Sequence, residues 1–577
     1  MRTLLTLAAA LALPAAVAAR PAPAPATGMV SASDPRAAAA GVEMLRAGGT
    51  ATDAAIATML ALNVVEPQNS GIGGGLFWVG HDGRTHAFTT IDGRETAPKA
   101  ADGHWFYGDD GQPMGHFQAV PGGRSVGIPG ALRAMAAAHR SGGKLPWATL
   151  FGPAIRLAGD GFAMTPRLVN GLNNFGTHVD PWARAHFFAG DGKALPVGTV
   201  LKNPDQAAFL REIATGGAER FYAAPDAARI VAAVNGAARN PSKMTVTDVT
   251  SYRAKPRPPV CGTYRGYRIC GMGPPSSGGV AVLQILGQLQ RFDMTGLGKD
   301  SPTAWHLFAE SERLAYADRD RYLGDPDFVS VPVKALIDPV YIAGRSALIA
   351  PDGTMATVTA GAPAGAPPRK TVPTSEVPGT TDVAAVDAAG DVVEVTTTIE
   401  GYFGSGLSVG GTMLNNQLTD FDFAPAKDGY LVANRVEGGK RPRSSMSPTI
   451  VYGPDGAVRL AVGAAGGSTI IAQVAKAIVG VIDWHLSAQD AIALGLLYAP
   501  GPTATAEKGT QLDAMVPALQ ALGERVQSAP LGLKANAIER VGDTWVGAAD
   551  PRSEGVAMGT DGSVTQIVRT GQPRPAE

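Results

Sequence analysis

Thr380 stands directly after Gly379, at the end of the stretch APDGTMATVTAGAPAGAPPRKTVPTSEVPG, and that setting suits a particular chemistry. A threonine hydroxyl is a weak nucleophile until a base takes its proton, and no obvious histidine partner is offered here. Breaking the Gly379–Thr380 bond would give Thr380 a free α-amine, whose usual pKa of ~8 lies close to working pH. That amine can serve as the general base, a role worth ~10²–10⁴ in rate. Other residues invite weaker readings. His306 and Glu310 are four apart on one helical pattern and could offer two metal ligands, although an ion-paired or solvated face explains them better. Ser276 and Ser277 in PPSSGG lack the spacing of a nucleophile elbow and read as a Gly-rich helix start. The run Gly71–Gly75 lacks the Lys-Ser/Thr ending of a phosphate loop.

The elements that must position Thr380 are a tether and a hairpin. Residues 350–379 are rich in Pro, Gly, Ala and Thr with no hydrophobic period, which predicts an exposed linker. TTDVAAVDAAGDVVEVTTTIEGYFG follows, two runs of strand formers joined by a turn over Asp387–Asp391. Upstream, SDPRAAAAGVEMLRAGG predicts a helix with Asp34 as N-cap, Pro35 at its first position and Gly48 past its end. A second helix is predicted from about Asp53 to Val64, then a strand at LFWVG. The middle of the chain, from about Leu145 to Asp325, is mostly helical in pattern, including a helix capped by Ser301.

The 577 residues exceed what one hydrophobic core usually holds, which predicts two lobes or one large layered domain. Charged residues are 17%, with 49 Lys plus Arg against 50 Asp plus Glu, so nothing overall suits a nucleic-acid surface. Residues 1–19 read as a secretory signal: basic Arg2, an apolar run, then small residues. That run is too short for a membrane anchor. Cys261 and Cys270 flank eight residues centred on Arg265-Gly266, which predicts a hairpin bringing the sulfurs opposite each other and a disulfide.

GRETAP (93–98), LNNQLTDF (414–421), RPRSSMSPT (441–449) and GAAGGSTI (463–470), in this order around Thr380, resemble the gamma-glutamyltranspeptidase family. VEPQNSGIGGG, PPSSGG, RLAYADRDRYLGDP and DPRS extend the resemblance along nearly the whole chain. It implies an α+β, four-layer αββα sandwich of the N-terminal nucleophile hydrolase type, a large subunit (20–379) and a small one (380–577) being cut from one precursor. By the same resemblance Thr380 is the nucleophile and Thr398 bonds to its hydroxyl. Arg94, Ser444 and Ser445 grip a substrate α-carboxylate, Gln417 and Asp420 accept from its α-ammonium, and Gly466 and Gly467 donate to an oxyanion. Glu400 stands where the family usually has Asn, a change that favours an ammonium and repels an acidic substrate when ionised. The segment between Phe421 and Arg441, with Tyr430 in it, is short for a full lid.

The implied activity is γ-glutamyl transfer from glutathione to water, an amino acid or a peptide, without metal or organic cofactor, in a periplasmic or secreted protein with no stable membrane anchor. Two alternatives stay open: a cephalosporin (glutaryl) acylase on the same fold, and a secreted binding protein that never processes itself.

Overall fold

The computed structural model describes residues 28–372 and 379–565. The expected signal at 1–19, the leader to residue 27 and linker residues 373–378 lie outside the described residues.

Two antiparallel sheets form the centre. The first runs, edge to edge, β14 (Val564–Thr565), β13 (Val556–Gly559), β1 (Met29–Ala32), β7 (Thr381–Val386), β8 (Val392–Thr398), β2 (Gly75–His81), β3 (Phe88–Gly93) and β4 (Lys255–Pro256). The second runs β12 (Thr544–Ala549), β11 (Lys534–Val541), β10 (Val458–Ala465), β9 (Thr449–Tyr452), β6 (Tyr267–Gly271) and β5 (Val260–Tyr264).

Successive side chains of a strand point to opposite faces, and both faces of the first sheet are covered. Phe77, Val79, Ala384 and Val386 pack toward the second sheet and, through it, against α3 (Gly278–Leu289), α4 (Pro302–Tyr322) and α5 (Thr469–Ile482). Leu76, Trp78, Val383 and Ala385, from the alternate positions, pack with α1 (Pro35–Arg46) and α2 (Ala51–Val65). The layers are therefore helix, sheet, sheet, helix. Strands covered on both faces read as near-continuous apolar runs, which is why β2 and β7 are buried at every position.

The predicted helix starts hold. Asp34 accepts from Arg36 N at 2.8 Å, with Pro35 first in α1. Helix α2 begins two residues before the expected start, because Thr50 and Asp53 form a reciprocal capping box. Cys261 and Cys270 sit directly opposite each other on β5 and β6 and are bonded. Arg265 (φ 51°) and Gly266 (φ 83°) make the turn between them, both left-handed as a tight hairpin of this kind requires.

Residues 350–372 form no helix or strand and are exposed or half-buried apart from Pro363 and Arg369, and hydrogen bonds tie them to α4. Ala350 O meets His306 Nε2 at 2.9 Å, Met355 N donates to Glu310 Oε2 at 2.8 Å, and Gly361 N donates to Asp318 Oδ1 at 2.7 Å. His306 and Glu310 are thus engaged as an ion-paired face, although a buried one: His306 Nδ1 lies 2.7 Å from Glu524 Oε1, and Glu310 pairs with Arg313.

Candidate active site

The hairpin β7–β8 sets the position of Thr380. Thr381 pairs with Thr397, so the residue before β7 faces the end of β8, and Thr380 Oγ1 lies 3.0 Å from Thr398 Oγ1. Thr398 Oγ1 also accepts from Glu400 N at 2.7 Å, which fixes its orientation. Thr380 is held at φ 76°, a conformation a β-branched residue rarely adopts. A side chain at Gly379 is sterically barred, since a Cβ there would stand 1.6 Å from Glu400 O. The glycine run upstream serves close packing too: a Cβ on Gly74 would stand 1.9 Å from Thr398 O.

A small cleft opens at Thr380. It is lined by Thr398, Arg94, Glu400, Gln417, Asp420, Ser444, Ser445 and Gly467, so the sequence-predicted residues converge from five separate segments. Gly466 adjoins them at the end of β10. There the chain turns through Gly466 (φ 130°) and Gly467 (φ 61°) into α5, whose N-terminal dipole end favours negative charge.

One side of the cleft suits a carboxylate. Arg94 is almost fully buried at the end of β3, where its guanidinium pairs with Asp420 and donates to Pro442 O at 3.2 Å and Arg443 O at 3.0 Å. Ser444 Oγ accepts from Met446 N at 3.2 Å, and Ser445 Oγ accepts from Arg319 Nη2 at 2.7 Å. Those two donors cannot accept in return, so each serine keeps its own proton for another partner. The other side suits an ammonium. Gln417 Nε2 donates to Asp420 Oδ2 at 2.9 Å, which turns Gln417 Oε1 outward, buried and with no hydrogen-bond partner. Asn416 Nδ2 holds Glu400 Oε2 at 2.6 Å.

Sequence reasoning missed Met446 and Ile470, which add apolar lining, and the supporting Asn416 and Arg319. It also missed Glu95, beside Arg94: burial pushes its carboxyl up to about 8 against the pull of Arg94, and neither oxygen has a donor. Tyr430 lies on an exposed two-strand ribbon, Ala426–Lys427 with Tyr430–Leu431, and is absent from the cleft lining. Ser276 and Ser277 bond to the loop that carries the site serines: Ser276 Oγ donates to Met446 O and Ser277 Oγ to Ser444 O, both at 2.7 Å.

The sequence pattern of the family described as Gamma-glutamyltranspeptidase matches residues 37–560. The chain is 35% identical over 545 residues to the glutathione hydrolase proenzyme of Bacillus subtilis (strain 168), covering 92% of this chain and 91% of that protein. It is 37% identical over 486 residues to the corresponding proenzyme of Escherichia coli (strain K12), covering 80% and 79%. Among solved structures, cephalosporin acylase from Bacillus halodurans superposes with a TM-score of 0.81 at 26% identity, over 94% of this chain and 99% of that one.

Proposed function

The chain belongs to the gamma-glutamyltranspeptidase family, and from that membership we propose that it cuts itself before Thr380 and then carries γ-glutamyl groups from glutathione and related compounds. Attack of Thr380 Oγ1 on the Gly379 carbonyl moves the acyl group from nitrogen to oxygen, and water then releases the new N-terminus. The freed α-amine takes the hydroxyl proton in each later turnover. Oγ1 attacks the γ-amide carbonyl, the oxyanion rests on the N–H groups of Gly466 and Gly467, and cysteinylglycine leaves with the proton. Water or an amino acid or peptide amine then takes the acyl group from the threonyl ester.

The observation that carries this reading is the 3.0 Å contact of Thr380 with Thr398 in a cleft that also holds Arg94 and Asp420. The acylase alternative draws on the structural likeness and on acylases 36% identical to the chain over 553 residues, but a glutaryl group has no ammonium. It would leave Gln417 Oε1, which has no hydrogen-bond partner, facing methylene, a costly arrangement for a buried acceptor. Export to the periplasm or beyond the cell is supported by the character of residues 1–19 and by the disulfide. No helix among the described residues is long and apolar enough to cross a membrane.

The test is intact mass and denaturing electrophoresis of wild type and Thr380→Ala. Wild type should release a fragment of about 20 kDa that begins at Thr380, judged by average residue mass, and the variant should stay whole. A wild type that remains one chain would leave the nucleophile without its base and favour the binding-protein alternative.

A further inference from the structure

Helix α4 lies behind the cleft, and two of its side chains reach toward it from one face. Tyr316 donates its hydroxyl to Ser468 O, at the turn that follows Gly467. Arg319, three residues on and only 2% exposed, donates from Nε to Ser277 Oγ at 2.9 Å and from Nη2 to Ser445 Oγ at 2.7 Å. Ser277 in turn donates to Ser444 O, so the guanidinium is tied to both site serines, once directly and once through a hydroxyl.

We propose that Arg319 is a positioning residue that sets the preference of the cleft for acyl groups bearing a carboxylate. A hydroxyl rotor surrounded by acceptors would turn its proton away from the cleft. A guanidinium has donors only, so Ser445 Oγ must accept from it, and the Ser445 proton is left to point at the substrate. The guanidinium, whose Nη1 is paired with Asp320 Oδ1 at 2.8 Å, also polarises that oxygen through Nη2, which makes the remaining O–H a stronger donor. Arg319 thus acts through Ser445 without touching substrate. Lysine at this position would keep the charge but could not span Ser277 and Ser445 with a rigid fork. The proposal rests on the reading of Ser444 and Ser445 as carboxylate partners.

The test compares wild type, Arg319→Gln and Arg319→Lys on three anilides: γ-glutamyl, glutaryl (no ammonium) and 4-aminobutyryl (no carboxylate). For Arg319→Gln, KM for the γ-glutamyl and glutaryl anilides should rise roughly 10- to 100-fold with kcat changed less, the scale of a charge-assisted hydrogen bond. The 4-aminobutyryl anilide should change by less than about 3-fold in kcat/KM, and Arg319→Lys should recover part of the loss. Ser277→Ala removes one anchor of the guanidinium without removing the charge, and should move KM the same way by a few fold. It serves as the readout if Arg319→Gln fails to fold or to process. Equal losses on all three anilides, or no change on any, would overturn the proposal. A wild type that handles the γ-glutamyl and 4-aminobutyryl anilides equally would overturn the carboxylate reading beneath it instead.

Discussion

Glu400 adds a second carboxylate to the ammonium side of the cleft, facing the same space as Asp420. Asn416 fixes one of its oxygens, and the residue itself is held at φ 76° by the turn that leaves β8. An α-ammonium there meets two negative groups, whereas a glutaryl chain meets the same groups with nothing to offer. Replacing Glu400 with Gln should lower kcat/KM for a γ-glutamyl anilide about 10-fold, the scale of one charge-assisted hydrogen bond, and leave the glutaryl anilide unchanged or improved. The ratio of the two specificity constants reads this directly, and an unchanged ratio would mean that Glu400 does not face the ammonium. Thr380 taken alone reads as an ordinary strand start after a glycine, and it is the family motifs around it that mark it as the candidate nucleophile. Arg94, Gln417, Asp420 and the two serines were legible only through family motifs, since the contacts that give them a role span more than 300 residues between Arg94 and the rest. Arg319 lay inside a quoted motif but carried no local sign that its guanidinium reaches Ser445.

At the scale of elements, β7 and β8 carry an acidic pair between the sheets. Asp382 Oδ1 accepts from Thr396 Oγ1 at 2.7 Å, and Asp382 also approaches Glu394, on the same face of the neighbouring strand. Counted as two carboxylates, Asp382 Oδ2 and both Glu394 oxygens lack a donor; one proton shared between them closes most of that deficit. Burial pushes Asp382 up to about 6, while burial and then the charge of Asp382 push Glu394 well above the usual carboxylate range. Both folded-state values are raised, so the stabilisation is complete below pH 4 and is lost as pH climbs through 6 and beyond. Glu394→Gln keeps a donor toward Asp382 without a proton to lose. Its melting temperature should therefore fall less than that of wild type between pH 5 and pH 8, by a few degrees in a scan at each pH. Parallel slopes for the two proteins would show that the pair does not share a proton. The helices and this hairpin were readable from caps, period and turn residues, all local. The pair was not, because an acid in a strand reads as the solvated face until both faces prove to be covered.

At the scale of the molecule, the proposed cut falls inside an interleaved sheet. Strand β1 lies between β13 and β7, and β8 pairs with β2, so strands from before and after Thr380 are interleaved in the first sheet. In the second sheet β9, from after the cut, pairs with β6 from before it. A buried ion pair crosses the same boundary: Lys534 Nζ lies 3.1 Å from Glu66 Oε2 and 3.1 Å from Thr381 Oγ1, with burial pushing the lysine down to about 8. Neither piece can close its sheets or cover its apolar strand faces alone, so cleavage should change the covalent chain without dividing the core. Processed protein is expected to elute as one species of unchanged size in native buffer, to show two chains only when denatured, and to melt in a single transition. Refolding either fragment by itself should give no cooperative transition. Two separate species in native buffer, or a fragment that melts cooperatively alone, would contradict the interleaved strand order, because strands paired across the cut cannot part without breaking every ladder that joins them.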